Sequence, residues 1–544
     1  MPDEKVFNLL HEPWILVRKP DGKVDEVSLL DLFQHAPDYQ GLAGELPTQD
    51  VAVLRLLLAI LHAVFGRYDL EGNFQPVSSP TVALERWKAL WDLDAFPMEI
   101  IEDYLIHFEE RFWLFHHEYP FYQVAGLDKA TEYTAAKLNG ALSESGNKIR
   151  LFPQRAGDGK NALRYSEAAR WLINVNSFDD TSGKKSVKGA PLPSPGAGWL
   201  GKLGLIIALG DNLFETLLLN LICLKDGGNE LWGEEEPVWE VEKVKSAERT
   251  EIVIPDNPSA LLTLQSRRLH LFREEDYVVG YALLGGDFFP KENAFAEQMT
   301  MWRIATQKKA GPPEYHPKRH DPSRQLWRDF SVLVGQSDAK HPPGVVAWLA
   351  RLKTDNLIPR SYFCFQTAAV KYGDKDFFVD DVFGDSLTFN ADLLTTLGED
   401  WVNRSTLFPY TTLFRSDMIG KTEELVKQVG YLAQNLAKAA GDSEGSSQKY
   451  KAQEQAYYLL DTPFRRWLEG IDPKRDSMND ACTQWWEQAK EIIRDLGREL
   501  VSQSGPRAIV GRYLKEKEKG KEVERRYTAP EAYNRFLYGI SKLN

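Results

Sequence analysis

The chain has 544 residues, a formal net charge of −13, 43% hydrophobic residues and 12% aromatics. That length exceeds one small core and favours about two to four domains. A protein that coats nucleic acid unaided is usually basic, so the global charge argues against a free-standing DNA-binding protein and leaves room for a locally basic surface.

The start, Met1-Pro2-Asp3-Glu4-Lys5, has no basic stretch followed by an apolar one, so no export signal is visible. Pro13 to Val17 reads as a short strand, Gly22 supplies a turn, and Val24 to Leu30 returns as a hairpin partner. Thr48-Gln49-Asp50 caps a helix over Val51 to Phe65, with Gly66 as its stop. This longest apolar stretch is interrupted by Arg55 and His62 and reads as a buried helix. No run of about 18 uncharged apolar residues suggests a membrane span. Val82 to Trp91 and Pro97 to Phe112 are amphipathic helices.

From Lys148 to Lys202 ten Lys/Arg face four Asp/Glu. Helical pieces at Ser166 to Asn174 and Asn212 to Cys223 flank a Gly/Pro/Ser-rich loop there. Asp226 to Glu242 swings the other way, with seven acids and no base. Ser259 to Leu284 alternates as a hairpin around Glu274-Glu275-Asp276. Arg303 to Arg328 is a Pro-rich basic loop, seven Lys/Arg against two acids. A second hairpin runs from Tyr362 to Phe378 and turns at Tyr372-Gly373-Asp374.

Beyond residue 390 helical patterns take over: Glu423 to Ala440, Ser447 to Leu460, Asn479 to Gln503 and Ala529 to Leu543. Four amphipathic helices in succession predict an antiparallel four-helix bundle. The fold class expected is therefore α+β: a mixed domain over 1–390, a connector over 391–422, and a helical bundle over 423–544. Thr406 to Ser416 reads, residue for residue, as the in-frame translation of a common short-read sequencing adapter, so no function is assigned to it. The three cysteines, Cys223, Cys364 and Cys482, lie too far apart in sequence for a zinc spacing or a disulfide framework, and a reducing cytoplasm is the simplest setting.

The stretch Arg111-Phe112-Trp113-Leu114-Phe115-His116-His117-Glu118-Tyr119-Pro120-Phe121-Tyr122-Gln123 packs six aromatics and two histidines with neither helical nor strand period. It resembles a signature of the CasA family, the large subunit of the type I-E CRISPR surveillance complex, Cascade. Further segments resemble that family in the same order: Phe7-Asn8-Leu9-Leu10, Arg55 to His62, Asn212 to Leu221, Leu261 to Arg268, and Trp327-Arg328-Asp329-Phe330.

The resemblance implies a non-catalytic subunit. It would read a short motif (the PAM) in double-stranded DNA, help open the duplex and dock a helicase–nuclease. Its partners would be guide RNA and the backbone, small and guide-processing subunits, with no cofactor, no metal and no membrane. The anchoring loop of the family falls at Leu151 to Lys160, which makes Phe152, Gln154, Arg155 and Lys160 candidates for holding the guide end. The lesser alternative for Phe152 is a local core plug. The glycine loop falls near Gly183, where Lys184 and Lys185 add phosphate contacts or form a solvated charge run. The wedge maps to Tyr372, Gly373 and Asp374 between Lys371 and Lys375, with Tyr372 as the side chain to stack on a splayed base pair. Lys308, Lys309, Lys318 and Arg319 are candidates for duplex phosphate on charge alone. The family's reading lysine has no counterpart: Ala296 to Thr300 contains no base.

Rival chemistry is weaker. Gly196 to Lys202 fits seven positions of a phosphate-binding loop, but Leu203 stands where Ser or Thr must hold magnesium. A metal-dependent nuclease or phosphohydrolase using Asp374, Asp376, Asp380 and Asp381, or His320-Asp321, is the alternative function. His116-His117 lacks the spacing of a zinc protease pair.

Overall fold

The structure, a computed structural model, describes residues 5–127, 130–141, 155, 157–181, 195–242, 250–305, 312–334, 341–395, 410–442, 444–518 and 521–543. The chain divides into two compact units, one of residues 1–326 and 332–386, the other of 327–331 and 387–544.

The first unit is built around helix Pro47–Phe65, which is buried over nearly its whole length. It starts earlier than the sequence suggests. Pro47 takes the first helical position, where its missing N–H costs nothing, and Thr48 and Gln49 lie inside the helix, fully covered. Among the described residues it is the one helix long and apolar enough to cross a membrane, and 94% of that apolar window is covered by protein. Its charged member is matched from far away. The Arg55 guanidinium donates to both Glu297 carboxylate oxygens, at 2.8 and 2.9 Å, and Trp199 Nε1 donates to Glu297 Oε2 at 2.8 Å. Arg55 and Glu297 are 2% and 1% exposed, so each needs the other.

The aromatic motif is a junction. Trp113–Phe115 pairs antiparallel with Val6–Asn8, and Phe112 stacks on Phe121 at 5.6 Å. Gln123 Nε2 donates to the Leu114 carbonyl (2.7 Å) while its Oε1 accepts from Leu271 N–H (2.8 Å), which joins the motif to the central hairpin. That hairpin is Arg267–Glu274 with Tyr277–Gly285, paired from Tyr277↔Glu274 to Gly285↔Arg267 with a shift of register between Val278 and Gly280. The alternation read over Ser259 to Leu284 begins instead with a short helix, Pro258–Leu262. The other side of Tyr277–Gly285 pairs with Thr131–Thr134 and with Leu163–Arg164. A second sheet has the order Val379–Asn390, Tyr362–Tyr372, Ile207–Leu209. Near the N-terminus Ile15–Arg18 pairs with Val24–Val27, while Leu29 and Leu30 belong to a helix capped by Ser28 rather than to the strand.

In the second unit the long helices are Tyr410–Ala440, Ser446–Gly470, Met478–Ser502 and Ala529–Ser541. An aromatic centre joins the first three. Trp327 stacks on Phe464 at 4.3 Å and donates to Asp461 at 3.0 Å, Trp485 meets Phe464 edge-on, and Trp485 Nε1 donates to Thr422 Oγ1 at 3.0 Å. Trp327–Ser331 thus groups with the helices, whereas the sequence reading kept 1–390 together. An antiparallel hairpin, Arg512–Glu518 with Lys521–Tyr527, precedes the last helix and was not anticipated.

Burial also sets a pH response in the first unit. Loss of solvent pushes the Glu235 carboxyl up to about 7, although Ser259 N–H donates to it at 2.9 Å. An acid raised in the fold keeps its proton where the unfolded chain has released it. Its contribution therefore favours folding at low pH and is lost as pH climbs from 4.5 to about 7. His62, 3.9 Å from Glu235, is pushed down to about 3 by burial and contributes with the opposite sign, so the Glu235 contribution is read as a difference. Relative to the parent, Glu235→Gln is expected to gain on the order of 3 kcal/mol across that window in denaturant titrations at several pH values. A difference independent of pH would contradict the burial argument.

Candidate nucleic-acid interface

The glycine-loop candidates Gly183, Lys184 and Lys185 lie outside the described residues, as do Phe152, Gln154, Lys308 and Lys309. The residues flanking 182–194 are described, and one side chain bonds to both sides. Arg267, 2% exposed at the start of the central hairpin, places Nε on Asp179 Oδ2 at 2.6 Å. Its Nη2 donates to the carbonyls of Asp179, Asp180 and Gly196, at 3.4, 3.2 and 2.7 Å. Asp180 also accepts from Lys137 Nζ at 2.6 Å.

The hairpin tip meets the same place. Six residues, 373–378, join strands Tyr362–Tyr372 and Val379–Asn390, too few for a parallel crossover, so the strands run antiparallel. Gly373 N–H donates to the Phe378 carbonyl at 2.9 Å. Gly373 is extended, and it is glycine because any Cβ would overlap the Phe378 ring. Lys375 and Asp376 carry the turn at φ 52° and 60°, a left-handed conformation unfavourable for residues with a Cβ. Neighbours hold them there. Thr181 N–H donates to the Asp376 carbonyl (2.9 Å), and Thr181 Oγ1 lies 3.1 and 3.0 Å from the Lys375 and Asp376 carbonyls. Arg319 grips the Asp376 carboxylate with two bonds of 3.0 Å.

Tyr372 is turned inward. Its hydroxyl donates to the Phe178 carbonyl at 2.6 Å, the Arg319 guanidinium lies 5.4 Å from its ring centre, and burial pushes its phenol well up. The aromatic that the tip presents to solvent is Phe377, 45% exposed, between exposed Lys375 and the half-buried Phe378. Lys371 pairs with Asp380 at 2.5 Å, and Asp374 is exposed. Lys318 is half-buried just after the strand pair Trp302–Ile304 with Tyr315–Pro317, which lies where a plain loop was expected. A Cβ at Gly204 would strike the Lys318 carbonyl.

Of the anchoring candidates, Arg155 bonds Glu45 at 3.0 and 3.1 Å and Glu167 at 3.2 Å, while the half-buried Lys160 uses its carbonyl to accept from Asn139 at 3.0 Å. The neighbourhood without a base proves to be interior: Glu297, Gln298, Met299 and Thr300 are all buried. Sequence reasoning missed Thr181, Phe377 and the positioning roles of Asp376 and Arg267. Only Arg267 had a signal, two adjacent arginines in the otherwise apolar start of a strand, which demands buried acceptors.

Several groups of the rival chemistries are engaged, while Asp374 is exposed. Asp376 and Asp380 are in ion pairs, Asp381 accepts from Val382 N–H at 2.8 Å, and a His320 ring nitrogen lies 2.8 Å from the Leu205 carbonyl. His116 Nδ1 accepts from Glu118 and Tyr119 N–H. Among the described residues no three His, Cys, Asp or Glu side chains stand together as a metal-holding group.

The inward placement of Tyr372 is testable in the isolated chain. A Cβ at Gly201 would overlap the Tyr372 hydroxyl. Gly201→Ala is therefore expected to destabilise the protein by about 1–3 kcal/mol, and the cost should shrink in a Tyr372→Phe background. Equal costs in both backgrounds, measured by denaturant unfolding, would place Tyr372 elsewhere.

The family model described as CRISPR-associated protein Cse1 matches residues 8–496. The Thermus thermophilus protein described as CRISPR-associated protein CasA/Cse1 is 30% identical over 345 residues, spanning 61% of this chain and 61% of that relative. The chain thus matches about three fifths of that relative's length. The crystal structure of Thermobifida fusca Cse1 superposes with a TM-score of 0.81 at 30% identity, covering 99% of this chain and 98% of that one. Two others speak to the fold alone. Thermus thermophilus CasA (Cse1) has a TM-score of 0.70 at 22% identity, covering 99% of both chains. A chain from a CRISPR RNA-guided surveillance complex has 0.58 at 16%, covering 91% of this chain and 100% of that one. The resemblance first read in the aromatic motif is therefore one of kinship: the chain belongs to the Cse1 (CasA) family.

Proposed function

We propose that this chain is the large, non-catalytic subunit of a type I-E CRISPR RNA-guided surveillance complex (Cascade) acting in the cytoplasm. In this reading it recognises the PAM in double-stranded DNA, promotes R-loop formation and recruits a helicase–nuclease. The partners are guide RNA with the backbone, small and guide-processing subunits. The first unit reads DNA and anchors the guide. The long helices of the second unit act as a four-helix bundle that contacts neighbouring subunits.

The observation that carries this reading is the junction at Thr181 and Asp376. Family membership implies two DNA-reading projections, a loop and a hairpin wedge. Thr181, which immediately precedes residues 182–194, and the tip of the hairpin are bonded to each other there, so in this reading they would meet a duplex as one body. Gly183, Lys184 and Lys185 remain contacts in this proposal, with Lys375 and Asp374 at the hairpin tip, and Lys318, Lys308 and Lys309 remain candidates for duplex phosphate. The wedge role passes from Tyr372 to Phe377, the aromatic with free surface. Arg319 becomes a positioning residue, since its fork is on Asp376.

The test is reconstitution with guide RNA and the remaining subunits, followed by binding and opening of PAM-containing duplex. Phe377→Ala is expected to lower duplex opening by about tenfold with assembly unchanged, the scale of one lost stacking contact. Arg319→Lys keeps a positive charge but loses the two-pronged bond. It should weaken target binding as much as Arg319→Ala if the residue positions the tip, and hardly at all if it touches phosphate. The isolated chain should cleave no DNA with magnesium or manganese, and cleavage abolished by Asp374→Asn or Asp381→Asn would establish the nuclease alternative.

A further inference from the structure

A cleft of about 680 Å³ opens where the end of helix Pro47–Phe65 meets residues 66–77 and residues 221–240. His62, in the last turn of the helix, and Glu235 both line it. Their side chains are 6% and 7% exposed, so each keeps a strip of surface on the cleft. Glu235 Oε2 accepts from Ser259 N–H at 2.9 Å. Its Oε1 stands 3.9 Å from His62 Nδ1, beyond hydrogen-bonding reach. Neither Glu235 Oε1 nor the His62 ring makes a hydrogen bond among the described residues. A nearly buried polar pair left unjoined calls for an explanation, and a group carrying two N–H bonds fits between them.

The charges favour a cation there. Three acids, Glu234, Glu235 and Glu240, line the cleft against one arginine. That arginine is engaged elsewhere. Arg67 holds both Glu240 oxygens, at 2.7 and 2.8 Å, and meets Glu235 at its backbone carbonyl rather than its carboxylate. Burial pushes His62 down to about 3 and the Cys223 thiol up to about 12, so both are uncharged and neither serves as a counter-ion. The neutral imidazole offers one ring nitrogen as an acceptor. Other parts of the wall are apolar, with Leu61, Phe65 and Leu221 buried behind it, and suit methylene groups. Phe74 lines the same cleft and is 69% exposed, though its position is fixed by pairing of Tyr68 with Phe74 and by an edge-on contact of the two rings at 5.7 Å. An open aromatic face attracts an ammonium group.

We propose that this cleft binds a primary alkylammonium group, which donates to Glu235 and His62 while its chain lies along the apolar wall. Free alkyl amines and the lysine side chain of a partner protein share this chemistry. The site does not depend on the nucleic-acid reading above, so the two can fail separately.

The probes are pentylamine and its uncharged counterpart pentanol, titrated into the full chain by calorimetry. Pentylamine is expected to bind at least about tenfold more tightly than pentanol. Glu235→Gln keeps the shape and the bond from Ser259 but not the charge, and should weaken pentylamine by about tenfold. Phe74→Ala, at an exposed position that folding tolerates, should weaken it by about threefold. Because burial raises the Glu235 carboxyl to about 7 and the ammonium favours its ionised form, affinity should climb by about tenfold between pH 6 and pH 8, with protons released on binding. The other ionisable groups facing Glu235 are His62, Cys223, Arg67 and Glu240, and a pH response that persists in Glu235→Gln would belong to them and overturn the assignment. Equal binding by pentylamine and pentanol, equal affinity in parent and Glu235→Gln, or a crystal structure in saturating pentylamine with only water between His62 and Glu235 would likewise overturn it. Repeating the titration on the assembled complex separates the sources. Undiminished binding identifies a free amine as the occupant, and loss of binding on assembly identifies a partner's lysine, either of which supports the site.

Discussion

A buried guanidinium organises one end of the first unit. Arg267 cannot remain under the surface without acceptors, and it finds them on both sides of residues 182–194: Asp179 and Asp180 before, Gly196 after. That fixes where residue 181 stands. Thr181 then fixes the left-handed turn at Lys375 and Asp376, and the Phe178 carbonyl fixes Tyr372. Each link depends on the previous one, so a side chain on the central hairpin decides how a distant hairpin presents its tip. Backbone strain at two residues with side chains persists because Thr181 and Arg319 both hold the turn.

The acidic composition acquires a meaning from this arrangement. Carboxylates such as Asp179, Asp376, Glu297 and Glu45 hold arginines in place rather than decorating the surface. Arginine paired in this way is positioned but electrostatically quiet. An acidic protein can therefore still present cations to DNA, provided these are exposed lysines such as Lys375 and not the forked arginines behind them.

Much of the fold was legible in the sequence, because its signals are local. Period-two alternation gave the central hairpin, and capping residues with helical spacing gave most helices to within a few residues. The hairpin at Arg512–Tyr527 was not legible. Its strands are dominated by Lys, Glu and Arg on both faces, so no apolar alternation marks them. The site was legible only as segments. That Tyr372 points inward depends on a carbonyl 194 residues away, and that Glu297 is interior depends on an arginine 242 residues away. No local rule carries that information. The turn at 372–374 drew attention for its glycine and tyrosine, whereas the structure uses that glycine to seat Phe378 and offers Phe377 to solvent.

The five residues Trp327–Ser331 bear on how the polypeptide can be divided. They are enclosed in sequence by the first unit yet belong to the second, where the Trp327 indole stacks on Phe464 and reaches Asp461. The thread accordingly passes from one unit to the other three times, after Leu326, after Ser331 and after Ser386. Neither unit is a continuous stretch that scissors could free. A fragment beginning at Leu387 would leave a bare Phe464 face in its aromatic centre, and the remainder would carry an orphaned indole.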